Sequence, residues 1–163
     1  MNRKDRVLFF STGDATRSQI AEAFLRTYAG QRFDVVSTAV KSTSVHELTR
    51  DVMSEAGIDI SSQVARSVAE SLKDRFTYVV TICDAAHERH PIFPFARRMV
   101  HWSITDPAGA GASAQQGFET LRCVRDEIRQ HVNQFIAETG QLSEGTAPPP
   151  KQHAPMASEQ EAT

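Results

Sequence analysis

Short apolar runs alternate with amphipathic stretches over the first 139 residues of the chain. Apolar runs predict four β-strands, at residues 6–10, 33–37, 78–83 and 99–104. Apolar residues at helical spacing predict helices at 17–28, 45–56 and 117–137, and a more polar segment predicts one at 68–75. Gly30 and Gly57 stand where the first two helices are expected to stop. This alternation is typical of an α/β domain in which ligands bind at the carboxyl ends of parallel strands.

Composition changes near residue 139, where a Pro-Pro-Pro run and many small polar residues begin. We therefore expect one domain at 1–139, followed by a disordered tail at 140–163. Hydrophobic residues make up 40% of the 163 residues and charged residues 23%, which is typical of a globular protein. The net charge of −2 argues against nucleic acid as a partner, and no apolar run is long enough for a membrane span. A cytoplasmic protein with two reduced cysteines, Cys83 and Cys123, is the expectation.

The segment between the first predicted strand and helix carries the candidate chemistry. It consists of Ser11, Thr12, Gly13, Asp14, Ala15, Thr16, Arg17 and Ser18. Backbone N–H groups at a helix N-terminus can converge on an anion, and a guanidinium adds a planar fork of donors that matches phosphate oxygens. The alternative is an ordinary strand–helix turn with an arginine on the surface.

The chain resembles the low-molecular-weight protein tyrosine phosphatase superfamily, and within it the thioredoxin-coupled arsenate reductase branch. The similar segments are residues 6–26, 45–61, 78–84, 91–94, 101–102, 106–107 and 124–128, in the order of the reductases. The resemblance implies a three-layer α/β sandwich with a four-stranded parallel sheet, and it implies no cofactor. It also implies that the loop after the first strand binds a phosphate-like or arsenate-like oxyanion.

The first departure from the family is Ser11, which stands where the family has its nucleophilic cysteine, with five residues between it and Arg17. A helix N-terminus and nearby cations activate a thiol by lowering its pKa, whereas a serine needs a general base. The loop supplies no base, so an active Ser11 depends on His46, His87, His90 or His101 arriving from another segment.

The second departure is Asp14, which stands where the family usually has asparagine. Its carboxylate either points outward, as a helix cap or in a pair with Arg17, or it faces a cation. Members of the reductase branch hold potassium near this loop. The resemblance places Asp14, Glu22 and Ser37 at the matching positions.

The third departure concerns the cysteines that relay oxidation in the reductase branch. Cys83 matches one of them, but His90 stands in place of the other. Thiol–disulfide exchange needs both an attacking and a resolving thiol, so arsenate reduction by the usual route is not expected. Cys83, at the end of an apolar strand, is expected to be an inert buried thiol.

Asp106, followed by Pro107, matches the general acid of the family. The alternative is an ordinary Asp-Pro turn. The sequence thus predicts an impaired relative that binds phosphate, arsenate or a phosphorylated protein. The rival hypothesis is an active phosphatase or arsenate reductase with a non-standard nucleophile.

Overall fold

Strands and helices alternate in this computed structural model, which describes residues 3–12, 15–39, 43–83, 93–107 and 114–142. The strands are β1 (Asp5–Ser11), β2 (Phe33–Ala39), β3 (Thr43–Ser44), β4 (Val64–Ser67), β5 (Phe76–Cys83) and β6 (Ala96–Ser103). The helices are α1 (Thr16–Ala29), α2 (Glu47–Glu55), α3 (Val68–Ser71) and α4 (Ala114–Leu142). Residues 140–142, which were predicted to belong to the tail, lie in α4, and the rest of the predicted tail, 143–163, lies outside the described residues.

Within the described ranges, one sheet has the strand order β3-β4-β2-β1-β5-β6, and only the β3–β4 pair is antiparallel. The prediction of an α/β domain with a parallel sheet is confirmed, but the count of four strands is wrong. β3 has two residues, and β4 has four of which only Ala65 is buried. Neither strand is long enough to show an apolar period in the sequence.

The helix predicted at 68–75 is also too long, because α3 ends at Ser71. Only Ser71 of its four residues is buried, so little packing extends this helix. The stop predicted at Gly57 is confirmed: Gly57 has a φ of 79°, a conformation that favours glycine. The Ile58 N–H donates to the Met53 carbonyl across this turn, which closes the end of α2.

Side chains on the two faces of the sheet form separate apolar clusters. On one face, Phe9 and Val80 belong to the main core, together with Phe24 of α1 and Ile128 of α4. On the other, Leu8, Phe10 and Val79 pack with Phe93 and with Val68 of α3. Burial on both faces explains why β1 and β5 read as continuous apolar runs. None of the helices in the described part of the chain combines the length and apolar character of a membrane span.

Candidate oxyanion-binding site

β1 and α1 place the two ends of the candidate loop at one edge of the sheet. Ser11 is the last residue of β1, and α1 begins at Thr16. The Thr12 N–H donates to the Ile82 carbonyl at 3.3 Å, which attaches the start of the loop to β5. Gly13 and Asp14 lie outside the described residues. The cap, ion-pair and cation roles predicted for Asp14 therefore stay predictions.

Arg17 is completely buried, although it lies in the first turn of α1. Its Nη1 donates to the Ile104 carbonyl at 2.8 Å, and its Nη2 donates to the Thr12 carbonyl. The interpretation of Arg17 as a surface arginine in an ordinary turn is therefore wrong. Among the described residues, its Nε–H is the one buried side-chain polar group without a hydrogen-bond partner. A buried guanidinium with an unused donor is suited to receive an anion.

Asp106 reaches the same edge from the segment that follows β6. Its Oδ2 is 3.7 Å from Arg17 Nη2, and its side chain is 26% exposed. The carboxyl ends of parallel strands meet at one edge of the sheet, so residues 89 positions apart become neighbours here. A carboxyl group at this position can neutralise Arg17, or it can donate a proton to a leaving oxygen when it is protonated.

Ser11 and Ser18 form a buried pair of hydroxyl groups below the loop. Ser11 Oγ donates to Ser18 Oγ at 3.1 Å, and the Ser18 N–H is 3.4 Å from Ser11 Oγ. Ser18 Oγ can in turn donate to the carbonyl of Ala15 at 3.0 Å or of Thr38 at 3.3 Å. One hydroxyl has a single proton, so these two bonds are alternatives. In these contacts, Ser11 Oγ meets the Ser18 hydroxyl and the Ser18 N–H, and neither group is a base.

The described histidines are engaged elsewhere. His46 caps α2, where its Nδ1 accepts a hydrogen bond from the Leu48 N–H. His101 Nδ1 is 3.0 Å from Thr81 Oγ1. The strand register puts Thr81 beside Phe10, so His101 and Ser11 project from opposite faces of the sheet. The hypothesis that His101 activates Ser11 is therefore wrong on geometric grounds.

The structure describes one of the predicted relay positions, Cys83, but not the other, His90. Cys83 ends β5 and is fully buried, as the sequence predicts. Its chemical inertness stays a prediction. His87 and His90 lie outside the described residues, so the proposed loss of the second relay cysteine is judged from the sequence alone.

α1 is fastened to β2 by polar side chains at three successive helical turns, which we call the α1–β2 cluster. Ser18 contacts the Thr38 carbonyl, Glu22 accepts a hydrogen bond from Ser37 Oγ at 2.5 Å, and Arg26 donates to the Val35 carbonyl at 3.0 Å. Arg26 also forms an ion pair with Glu22. Because α1 runs antiparallel to β2, the i, i+4 spacing of the helix matches positions along the strand.

Burial is the main influence on Glu22, whose side chain is 6% exposed. It raises the pKa of the carboxyl group above its ordinary value of 4.5, while the Ser37 hydroxyl and the Arg26 charge act in the opposite direction. The structure brings Glu22 and Ser37 together, as the potassium hypothesis requires. However, a guanidinium already contacts this carboxylate, so the described part of the site does not fit a bound potassium ion.

Several contacts at this site could not be found from the sequence. The carbonyl groups of Thr12, Thr38 and Ile104 belong to the backbone, so the type of these residues does not indicate that they accept hydrogen bonds here. The contact between Glu22 and Arg26 could be predicted, because an arginine four residues after a glutamate on a helix indicates an ion pair. That pattern does not show that the glutamate is buried.

A family model described as low molecular weight phosphotyrosine protein phosphatase matches residues 6–144. An arsenate reductase from Halalkalibacterium halodurans is 36% identical over 140 residues, with 86% of this chain and 99% of the relative covered. An arsenate reductase from Bacillus subtilis is 32% identical, with 82% and 96% covered.

The fold comparison agrees. A solved arsenate reductase in the phosphate-binding state has a TM-score of 0.68 and 28% identity, and the match covers 82% of this chain and 97% of the other. A solved arsenate reductase in the oxidised state has a TM-score of 0.69 and 29% identity, with the same coverage. These matches are consistent with the order of the strands in the sheet and with the position of the loop between β1 and α1. The chain belongs to the low molecular weight phosphotyrosine protein phosphatase family.

Proposed function

We propose that this chain binds a tetrahedral oxyanion in the loop after β1 and does not turn it over efficiently. The ligand is phosphate, arsenate or a phosphorylated partner. The site consists of the loop amides of residues 12–16 together with Arg17 and Ser18. Family membership supports this ligand class, because the relatives are named as phosphatases and arsenate reductases.

The observation that carries the proposal is the state of Arg17. Burying a guanidinium costs free energy unless it is paired and hydrogen-bonded. Two of its nitrogen atoms are held by backbone carbonyls, and the Nε–H has no hydrogen-bond partner within the described residues. An oxyanion would accept from this donor and would also meet the positive end of the α1 dipole.

The proposed loss of turnover rests on Ser11. Its hydroxyl donates to Ser18 Oγ and accepts from the Ser18 N–H, and neither of these two groups is a base that would remove its proton. A thiolate is present at this place in the family, and a serine is not ionised by the same field. The thiol–disulfide relay of the arsenate reductases also needs a cysteine in this loop. Because residue 11 is a serine, Cys83 has no sulfur there with which to form a disulfide.

Isothermal titration with inorganic phosphate and with arsenate tests binding. We expect both to bind, and Arg17→Met to weaken binding by at least about 100-fold, since two charge-assisted hydrogen bonds contribute about 3 kcal/mol or more. Arg17→Lys retains the charge but not the forked geometry, so an intermediate loss of about tenfold is expected. The matched control is Arg129→Met, which removes an arginine from the exposed face of α4.

Unchanged affinity in both Arg17 variants would overturn the oxyanion proposal. Circular dichroism checks that each variant is folded, and Arg17→Lys keeps the test decisive if Arg17→Met does not fold. Turnover is tested separately with an aryl phosphate. Steady hydrolysis by the natural chain that disappears in Ser11→Ala would show an active enzyme and would overturn the proposed impairment.

A further inference from the structure

Glu22 is a buried carboxylate whose surroundings contain two positive side chains. Arg26 forms an ion pair with it from the next turn of α1. Arg66, on β4, lies near enough for its charge to favour the ionised carboxylate. Among the described groups that act on Glu22, two positive charges therefore face one negative charge.

This ratio of positive to negative charges around Glu22 differs from that of a cation-binding site. A bound monovalent cation needs oxygen ligands in place of its hydration shell, and positive charges beside those ligands oppose its binding. Here Arg26 contacts one carboxylate oxygen, and Ser37 donates its hydroxyl proton to the other. A further cation at Glu22 would meet repulsion from both guanidinium groups.

Arg26 also joins Glu22 to the neighbouring strand. Its Nη2 donates to the Val35 carbonyl, so the group that neutralises Glu22 is itself attached to β2. The charge is tethered four residues away on the same helix, so no ion loses translational freedom when the site forms. The α1–β2 cluster is thereby completed by the chain itself.

We propose that Arg26 is the built-in counter-cation of Glu22, and that the chain holds α1 against β2 without a bound potassium ion. The proposal is independent of oxyanion binding. It concerns how the helix that follows the candidate loop is fixed to the sheet, and its readout is the thermal stability of the protein.

The first test uses the unmodified chain. We expect the unfolding midpoint to agree within about 1 °C in potassium, sodium and choline chloride at equal ionic strength, because only general screening operates. A saturable rise of several degrees that is specific to potassium would overturn the proposal, since a ligand that binds the folded state raises its stability.

The second test is a double-mutant cycle with Arg26→Met and Glu22→Gln. We expect Arg26→Met to lower the midpoint by about 3 to 6 °C in the natural background, and by less than half of that when residue 22 is neutral. Arg129→Met, which breaks the exposed pair with Asp126, is the matched control and should shift the midpoint little.

Equal losses in the two backgrounds would contradict the proposal, because Arg26 would then act through packing and its hydrogen bond to the Val35 carbonyl, and not through the charge of Glu22. Arg26→Lys gives a second measure that does not depend on a neutral residue 22. It keeps the positive charge and should retain most of the stability, whereas a fall as large as that of Arg26→Met would also contradict the proposal.

Discussion

Two regions of this molecule use arginines and carboxylates in different surroundings. The α1–β2 cluster surrounds a Glu22 side chain that is only 6% exposed. The second region, here called the α2–α4 cluster, joins Glu55 of α2 to Arg122 and Arg125 of α4, with Asp126 and Arg129 alongside. There the Glu55 side chain is 36% exposed, and its oxygens lie 2.6 Å from Arg122 and 3.1 Å from Arg125.

The two clusters differ in how far they are buried, and this difference determines the pKa of each glutamate and its contribution to stability. The pKa of Glu55 lies below its ordinary value, chiefly because Arg122 donates a hydrogen bond to it, whereas burial raises the pKa of Glu22. The exposed cluster is screened by water and salt and contributes little to stability. The buried cluster costs free energy to desolvate, but it fixes the position of α1 relative to β2, and with it the end of the candidate loop, where α1 begins.

The largest effect is expected from Ser11→Cys, which places a thiol among the donors that now surround the serine hydroxyl. The Ser18 N–H, the α1 N-terminus and the Arg17 charge favour a thiolate there, so the new thiol should ionise below about pH 7.5 rather than near 8.5. Aryl phosphate hydrolysis should be faster than with the natural chain.

The measurement is the absorbance of the thiolate near 240 nm as a function of pH, as the difference between the variant and the natural chain. That difference cancels the contributions of Cys83 and Cys123. An introduced thiol that ionises at about pH 8.5 or above would show that the buried region does not favour negative charge at position 11.

A smaller effect is expected when one carboxylate is removed from each cluster. Glu22→Ala should lower the free energy of unfolding by about 2 to 3 kcal/mol, because it leaves the Ser37 hydroxyl and Arg26 without their acceptor. Glu55→Ala should have a much smaller effect, because Arg122 is exposed and regains water, and Arg125 keeps its hydrogen bonds to the Val52 carbonyl and to Asp126. Urea denaturation measures both, and similar losses would remove the proposed difference between the clusters.

The smallest effect is a difference in pH dependence. Because the folded pKa of Glu22 is raised, the folded state holds its proton more tightly, and its contribution to stability falls as pH rises from 4.5 through the raised pKa. The lowered pKa of Glu55 has the opposite sign: its contribution is present above 4.5 and is lost as pH falls through the lower folded value.

Unfolding free energies from pH 3 to 8 for Glu22→Gln and Glu55→Gln, each subtracted from those of the natural chain, should therefore slope in opposite directions. High salt should flatten the Glu55 difference more than the Glu22 difference, because exposed charges are screened more strongly. Slopes of the same sign would contradict the assignment of burial as the dominant influence on Glu22.

Much of the sheet could be predicted from residue type. The continuous apolar runs of β1 and β5 indicate strands buried on both faces, and the structure confirms both. β4 was missed because Val64 and Arg66 are exposed, so its pattern contains a single buried residue. Its pairing with β2 depends on backbone hydrogen bonds, which residue type does not encode.

The candidate site likewise has features that could be predicted from the sequence and features that depend on tertiary contacts. Arg17 and Ser18 were recognised from their types and their place after the first strand, and Asp106 from the family resemblance, but two interpretations of Arg17 remained open. The structure decided between them, since Arg17 is completely buried and bonded to Ile104, a residue 87 positions away. Local sequence does not report which distant carbonyl a side chain will meet.

The sequence by itself determined the order of the main strands and helices, the family resemblance and the serine at position 11. These follow from local hydrophobic pattern and from chemical identity. Only the tertiary structure decided that Arg17 is buried beside Asp106, that His101 faces away from Ser11, and that Arg26 neutralises Glu22. Each of these depends on how parallel strands and an antiparallel helix bring distant positions together, and burial then determines the free energy of the resulting charge contacts.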